Sequence, residues 1–268
     1  MRNMKDVIRG MSSAASGKAA LLPLLLAAMV AGTAFFMGCA ATNDELQGMR
    51  DPKELYDKGV SAYLDGKRED SEKAFKTLME EHPLSPYATE AQLLLGDVCY
   101  SLERYDDAAA YYTNFSAMHP THNKASYALF QKGMSHFKEM LSMDRDQTAT
   151  KKALFAFQDL LAGYPSSAYA PKADELIAFL KRRLAEREIY VAEFYFKNSN
   201  YKGALGRLRD ALKNYPDAGV SDKTLYMIAE TYAKLGEDVL ARDAYGTLIT
   251  NYPESPLAGE ARERLKQG

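Results

Sequence analysis

Small and large apolar residues recur along this chain at fixed distances ahead of five prolines, Pro83, Pro120, Pro165, Pro216 and Pro253. Twelve places before each proline stands a small residue, and eight places before it a large one. The pairs are Ser71/Phe75, Ala108/Tyr112, Ala153/Phe157, Ala204/Leu208 and Ala241/Tyr245. A second small residue precedes the proline by twenty-four places in four of the runs, as Gly59, Gly96, Ala192 and Ala229. In the remaining run the matching Gly133 comes eight residues early. Pro83 to Pro120 and Pro216 to Pro253 are each 37 residues, a period that suits stacked helix pairs and few single-domain enzymes.

Each Xaa-Pro step ends a helix, because proline lacks a donor and pushes its predecessor out of the α region. Restart signals follow at Ser85-Pro86, Ala170-Pro171 and Ser255-Pro256, with proline at a helix's first position and serine as a cap in two of the three. The spacing predicts helix pairs at about 52–82, 86–119, 123–164, 171–215 and 219–252. A last amphipathic piece, 256–267, reads as a polar cap on the stack. The pattern resembles the tetratricopeptide repeat, so the expected fold is an all-α solenoid of five such pairs with a capping helix.

Two irregularities stand out. Residues 141–150 (LSMDRDQTAT) lengthen the third repeat as a polar excursion at the edge of the stack. The fourth repeat opens with a helix from Pro171 to about Lys197, roughly 40 Å long at 1.5 Å per residue. Such a helix joins two sub-stacks, giving N-terminal repeats over 52–165 and C-terminal repeats over 166–268.

Ahead of the repeats, Arg2, Lys5, Arg9 and Lys18 face one acid, Asp6, and residues 19–37 are apolar apart from Thr33. This reads as an export signal, 1–38, ending at Gly38-Cys39, with a polar tether over 39–51. Cys39 is then the expected lipid acceptor, and the lipid is the one covalent group anticipated. The lipobox is imperfect, with Phe36 and Met37 before Gly38, and nineteen apolar residues are also long enough for an uncleaved span. Ala40 after the cysteine, where an aspartate is absent, points to the outer membrane. Cys99 has no other thiol to pair with in the exported chain and reads as a buried small apolar residue.

The whole chain has 34 basic and 36 acidic residues, and loss of the signal leaves it more acidic, which argues against nucleic acid as a partner. Hydrophobic content is 47%, and 18 tyrosines without tryptophan suit helix-pair packing, so most tyrosines are expected in the core. No phosphate loop, zincin motif, nucleophile elbow or cysteine pair at metal spacing is present. His82 and His119 occupy the slot that tyrosine fills in the other repeats, and His119 with His122 lacks a third ligand, so no metal or cofactor is anticipated. Lys181, Arg182, Arg183 and Arg187 alternate with Glu186 and Glu188, as a solvated helix face does.

First helices of such pairs line a concave surface where extended peptides bind. In register, that surface offers Tyr56, Val60 and Tyr63 with Leu64, then Leu93, Asp97 and Tyr100, then Tyr127, Phe130, Met134 and Phe137. A cell-wall enzyme would instead need a positioned acid pair, for which only Asp97 and Glu90 come forward. A cell-envelope coordinator of the Tol-Pal kind would carry heptads before its repeats, and 40–51 is too short for them.

The order of segments is more specific than the repeat. The His-Pro-Thr-His step at 119–122, the Gly-Tyr-Pro-x-Ser-x-Tyr turn at 163–169 and the run Val191-Ala192-Glu193-Phe194-Tyr195 resemble the BamD (ComL) family of outer-membrane assembly lipoproteins over about 55–265. The resemblance implies a non-enzymatic subunit of the β-barrel assembly machine. Its N-terminal repeats would receive the C-terminal strand signal of unfolded outer-membrane proteins. Its C-terminal repeats would dock the periplasmic domain of the barrel subunit BamA, with other Bam lipoproteins as further partners. By position, Arg207 corresponds to the family arginine that salt-bridges the barrel subunit.

Overall fold

Five identical helix stops divide the chain as the prolines announce. His82, His119, Tyr164, Tyr215 and Tyr252 all sit at φ between −139° and −128° and ψ between 54° and 58°. In each, the N–H still donates to the carbonyl four residues back, at 2.8–3.0 Å, and the carbonyl accepts from the residue three ahead, at 3.0–3.2 Å. The second bond closes a turn with proline at its second position, where the ring's fixed φ is already correct. Each break is therefore a tight helix-to-helix turn.

A computed structural model describes residues 50–267. The signal, Cys39 and nearly all of the tether lie outside the described residues. Eleven helices are described: α1 Pro52–Leu64, α2 Arg68–Glu81, α3 Pro86–Ser101, α4 Tyr105–Met118, α5 Ala125–Lys138, α6 Thr148–Gly163, α7 Ala170–Lys197, α8 Tyr201–Asn214, α9 Ser221–Leu235, α10 Asp238–Asn251 and α11 Pro256–Gln267. No strand occurs among the described residues. Each helix packs on the next in chain order, and α1/α3 and α9/α11 also touch. This is the all-α solenoid of five helix pairs with a capping helix.

The small-and-large pattern has a direct physical meaning. A Cβ added at Gly59 would lie 2.5 Å from Phe75, one at Gly96 2.6 Å from Tyr112, and one at Gly133 2.5 Å from Phe157. All three rings are fully buried, so each lies flat on the bare Cα of the partner helix. Ala192 opposite Leu208 and Ala229 opposite Tyr245 fill the same places in the last two pairs. Gly133 keeps its contact despite its early position because the extra residues fall between α5 and α6. Burying each ring contributes about 1.5–3 kcal/mol.

The two expected serine caps are present: Ser85 and Ser255 Oγ accept from the N–H groups of Tyr87 and Leu257 at 3.2 Å. Asp51 Oδ1 also caps α1, accepting from Lys53 and Glu54 at 2.7 and 3.0 Å, and α7 starts at Ala170, so Pro171 holds its second position and not its first. α7 spans 28 residues and serves two cores. Ile177, Leu180 and Leu184 pack with Phe130, Leu154 and Phe157, whereas Ala185, Ile189 and Ala192 pack with Leu205, Leu208 and Ile228.

Two expectations are corrected. The tyrosines are mostly half-buried; among the described residues only Tyr112 and Tyr245 are buried, because a phenol needs a partner for its oxygen and settles where one is at hand. The third-repeat insertion is not a free polar excursion either. Its last three residues begin α6, and Gln147 is buried, its amide donating to the carbonyls of Ser142 and Arg145 at 2.9 and 3.0 Å. Arg183 of α7 also donates to the Leu141 carbonyl, so the loop is fastened to the long helix.

Replacing Gly96 with alanine should therefore cost about 1–3 kcal/mol, since the buried Tyr112 ring has nowhere to move. Gly206→Ala in α8, with nothing within 4 Å, should instead stabilise by up to about 1 kcal/mol. Urea midpoints of the two variants check this, and similar shifts in both would contradict it.

Candidate functional site

The face read as a peptide groove separates into floor and lining. Leu93 is 1% exposed and Phe130 9%, so both are core side chains and leave the lining to others. Phe130 stacks on Tyr169 at 5.1 Å, and Leu93 packs with Cys99, Tyr112 and Phe115. Tyr56, Val60, Tyr63, Tyr100, Tyr127, Met134 and Phe137 are half-buried and keep surface. Their rings are braced laterally: Tyr56 against Tyr87 at 5.4 Å, Tyr100 against Tyr105 at 5.2 Å, Tyr127 against Tyr169 at 5.8 Å and Phe137 against Phe179 at 5.7 Å. Such bracing limits the entropy lost when a ligand covers a ring.

Asp97 on α3 is the polar centre of this face. Its Oδ1 accepts from Tyr112 Oη at 2.7 Å and Tyr127 Oη at 2.6 Å, joining α3 to α4 and α5. Tyr127 Oη in turn accepts from Gln131 Nε2 at 3.0 Å. Burial pushes the Asp97 carboxyl up to about 6, against the opposing pull of the two phenols and of Lys124. Both phenols are raised well above the ordinary tyrosine value, first by burial and then by the Asp97 charge. They therefore remain donors.

Glu90 does not join Asp97 as an acid pair. Its carboxylate is held by Lys124 Nζ at 2.5 Å and approached by His122 Nε2 at 3.4 Å. His119 and His122 both pack on Phe115, the first tilted at 5.3 Å and the second edge-on at 5.2 Å. His82 Nε2 lies 2.5 Å from the Arg50 carbonyl, and Tyr164 Oη donates to the Pro120 carbonyl at 2.6 Å. The ring before each of these two prolines thus reaches back to the segment just ahead of its own repeat's first helix. Asp106, His136 and Glu139 bring three ligand-type atoms within 4.8 Å of one another, with Asp106 exposed and His136 buried. His136 and Glu139 form a local pair at 3.3 Å that closes α5.

Arg207 on α8 is half-buried and pairs with Glu188 of α7 at 3.2 Å. It lines a cleft of about 380 Å³ with Arg145 and Gln147 of the third-repeat loop and Leu184, Arg187 and Tyr195 of α7. Residue spacing does not show that this loop and Arg207 share a cleft, because they are some sixty residues apart. Of the α7 basic cluster, Arg182 pairs with Glu186 at 2.9 Å as an exposed i,i+4 pair, while Arg183 is tied to the loop. Cys99 is buried, its thiol pushed up by burial, with Arg104 Nη2 3.1 Å from the sulfur.

Paired helices closed by large side chains on small positions, with an aromatic face along α1, α3 and α5, define a tetratricopeptide-type repeat protein. The chain belongs to the YfiO family of outer membrane lipoproteins, whose pattern it matches over residues 49–247. It is 29% identical over 245 residues to the outer membrane protein assembly factor BamD of Xylella fastidiosa (strain 9a5c), covering 87% of this chain and 83% of that protein. It is 31% identical over 199 residues to the BamD of Neisseria meningitidis serogroup A, covering 70% of this chain and 74% of that protein. Among solved structures it is similar to the TPR2AB-domain:pHSP90 complex of yeast Sti1, with 14% identity and a TM-score of 0.42, covering 81% of this chain and 84% of that one.

Asp97→Asn keeps an acceptor at the Oδ1 position and removes the titration. With the folded value near 6 and the ordinary one at 3.8, the stabilising contribution of Asp97 is full below about pH 4 and is lost as pH rises through about 6. From pH 4 to 7.5 the wild type should therefore lose stability relative to the Asp97→Asn variant by on the order of 2 kcal/mol. Urea midpoints at the two pH values measure this, and a constant difference would contradict it.

Proposed function

We propose that this chain is a non-enzymatic, lipid-anchored scaffold of the outer membrane. It captures unfolded β-barrel precursors on its N-terminal repeats and docks on the barrel-assembly insertase through its C-terminal repeats. The observation that carries this reading is the braced aromatic face of α1, α3 and α5, joined to a family whose members are outer membrane lipoproteins. BamD relatives, similar over most of the chain, are assembly factors for outer membrane proteins, which supports the same role here.

Capture needs no covalent chemistry. An extended strand with alternating aromatic side chains gains ring contacts along the face, with hydroxyls of half-buried tyrosines available to its backbone. Glu90 is already engaged by Lys124 and His122, which weighs against a glycosidase-like use of Asp97 and Glu90. On the C-terminal side, Arg207 is the proposed contact with the periplasmic domain of BamA. Its existing pair with Glu188 is half-exposed and worth under about 1 kcal/mol, so a partner carboxylate can replace it at little cost. Other Bam lipoproteins are further proposed partners. Attachment is assigned to lipid on Cys39, at the Gly38-Cys39 boundary that closes the export signal.

Photocrosslinkers placed at Tyr63 or Tyr100 should capture C-terminal segments of barrel precursors. Capture confined to the opposite, α2/α4 face would sink the groove reading. Metabolic palmitate labelling should likewise vanish in Cys39→Ser.

A further inference from the structure

The repeats contain their own control for Asp97. The position following the small residue of the first helix carries a carboxylate in three repeats, as Asp97, Glu193 and Glu230. Glu193 is met by Lys223 Nζ at 2.9 Å and Glu230 by Arg264 Nε at 3.0 Å, each cation coming from the first helix that follows. Tyr245 also donates to Glu230, as Tyr112 donates to Asp97 across the same fifteen-residue separation. At Asp97 the helix that follows presents Tyr127 in place of a cation.

Asp97 is thus the most deeply buried of the three, 9% exposed, and the one without a cationic partner among the described residues. Both phenols converge on Oδ1, and no donor among the described residues reaches Oδ2. Buried carboxylates are ordinarily neutralised by a partner, because leaving the charge unmatched is costly. Tyr112 from α4 and Tyr127 from α5 face it directly, Tyr169 from the segment before α7 packs on the Tyr127 ring at 5.8 Å, and Tyr63 from α1 feels its charge, with Lys124 bound to Glu90. Arg68 does not serve either, since its guanidinium lies over the Tyr63 ring at 4.1 Å and donates to the Tyr63 carbonyl.

A carboxylate with one free oxygen among aromatic rings is how proteins hold organic cations, the rings attracting the charge and the oxygen fixing its N–H groups. We propose that Asp97, with Tyr127 and Tyr169, forms a cation pocket in the groove that takes an arginine or lysine side chain of the bound polypeptide. This rests on the groove reading above and adds to it a charge preference at one position of the ligand. The pocket supplies from the substrate the cation that Lys223 and Arg264 supply internally in the later repeats. It also explains why a charge that lowers stability near neutral pH is placed on this face. Binding a cation favours the ionised carboxylate, so affinity for it should fall as pH drops through about 6.

The test uses the full chain and two synthetic fluorescent peptides, one with a single arginine between aromatic residues and one with neutral citrulline in its place. At pH 7.5 the arginine peptide should bind at least about tenfold more tightly. The preference should shrink at pH 5 and disappear in Asp97→Asn, with a melting curve showing that variant folded. Equal affinities for the wild type, or an arginine preference that survives Asp97→Asn, would overturn the cation pocket. In either case groove binding itself stands if Tyr63→Ala or Tyr100→Ala weakens both peptides, and falls with the pocket if neither does.

Discussion

Each helix pair closes because a large side chain from the second helix lies where the first has almost none. Phe75 on Gly59, Tyr112 on Gly96 and Phe157 on Gly133 bring the paired backbones into an approach that any added carbon would block. The approach sets the spacing within each pair and so the position of the first helix's outer face. Everything proposed about that face depends on it. In the second pair the buried member is a tyrosine, and its hydroxyl emerges beside Asp97, so one contact fixes the backbone approach and orients the polar centre of the groove.

A solenoid of neighbouring contacts is stable as a sum of small interfaces, so its continuity matters as much as any single core. α7 supplies that continuity by giving successive stretches of one helix to two hydrophobic clusters. The third-repeat loop is tied to the same helix by Arg183, and Arg207 lies across the cleft from it. The structure thereby gives the chain two different surfaces, one aromatic with a single buried carboxylate and one rich in arginine. Different surface chemistry on one support is what a coupling scaffold requires.

Much of this was legible in the residues. Pairing, helix ends and the long seventh helix follow from proline and small-residue spacing, because those residues act locally through backbone geometry. Gly133 was identifiable even out of register, since its ring partner Phe157 kept its own distance from Pro165. The division of the groove into lining and floor was not legible: Leu93 and Phe130 share a period with exposed neighbours, and only three-dimensional packing shows them covered. Nor could spacing show that Gln147 folds inward, or that Asp97 meets Tyr127 from the next pair. Contacts between repeats depend on how far each pair rotates on its neighbour, which a one-dimensional period does not encode.

The central claim is that precursor and insertase are held by different halves of one stack. Hydrogen exchange of the full chain, measured with a peptide from a barrel protein's C-terminal strand and separately with the periplasmic domain of BamA, tests this most directly. The account predicts added protection in α1, α3 and α5 with the peptide and in α7–α9 with the domain. Protection of the same helices by both ligands would contradict it.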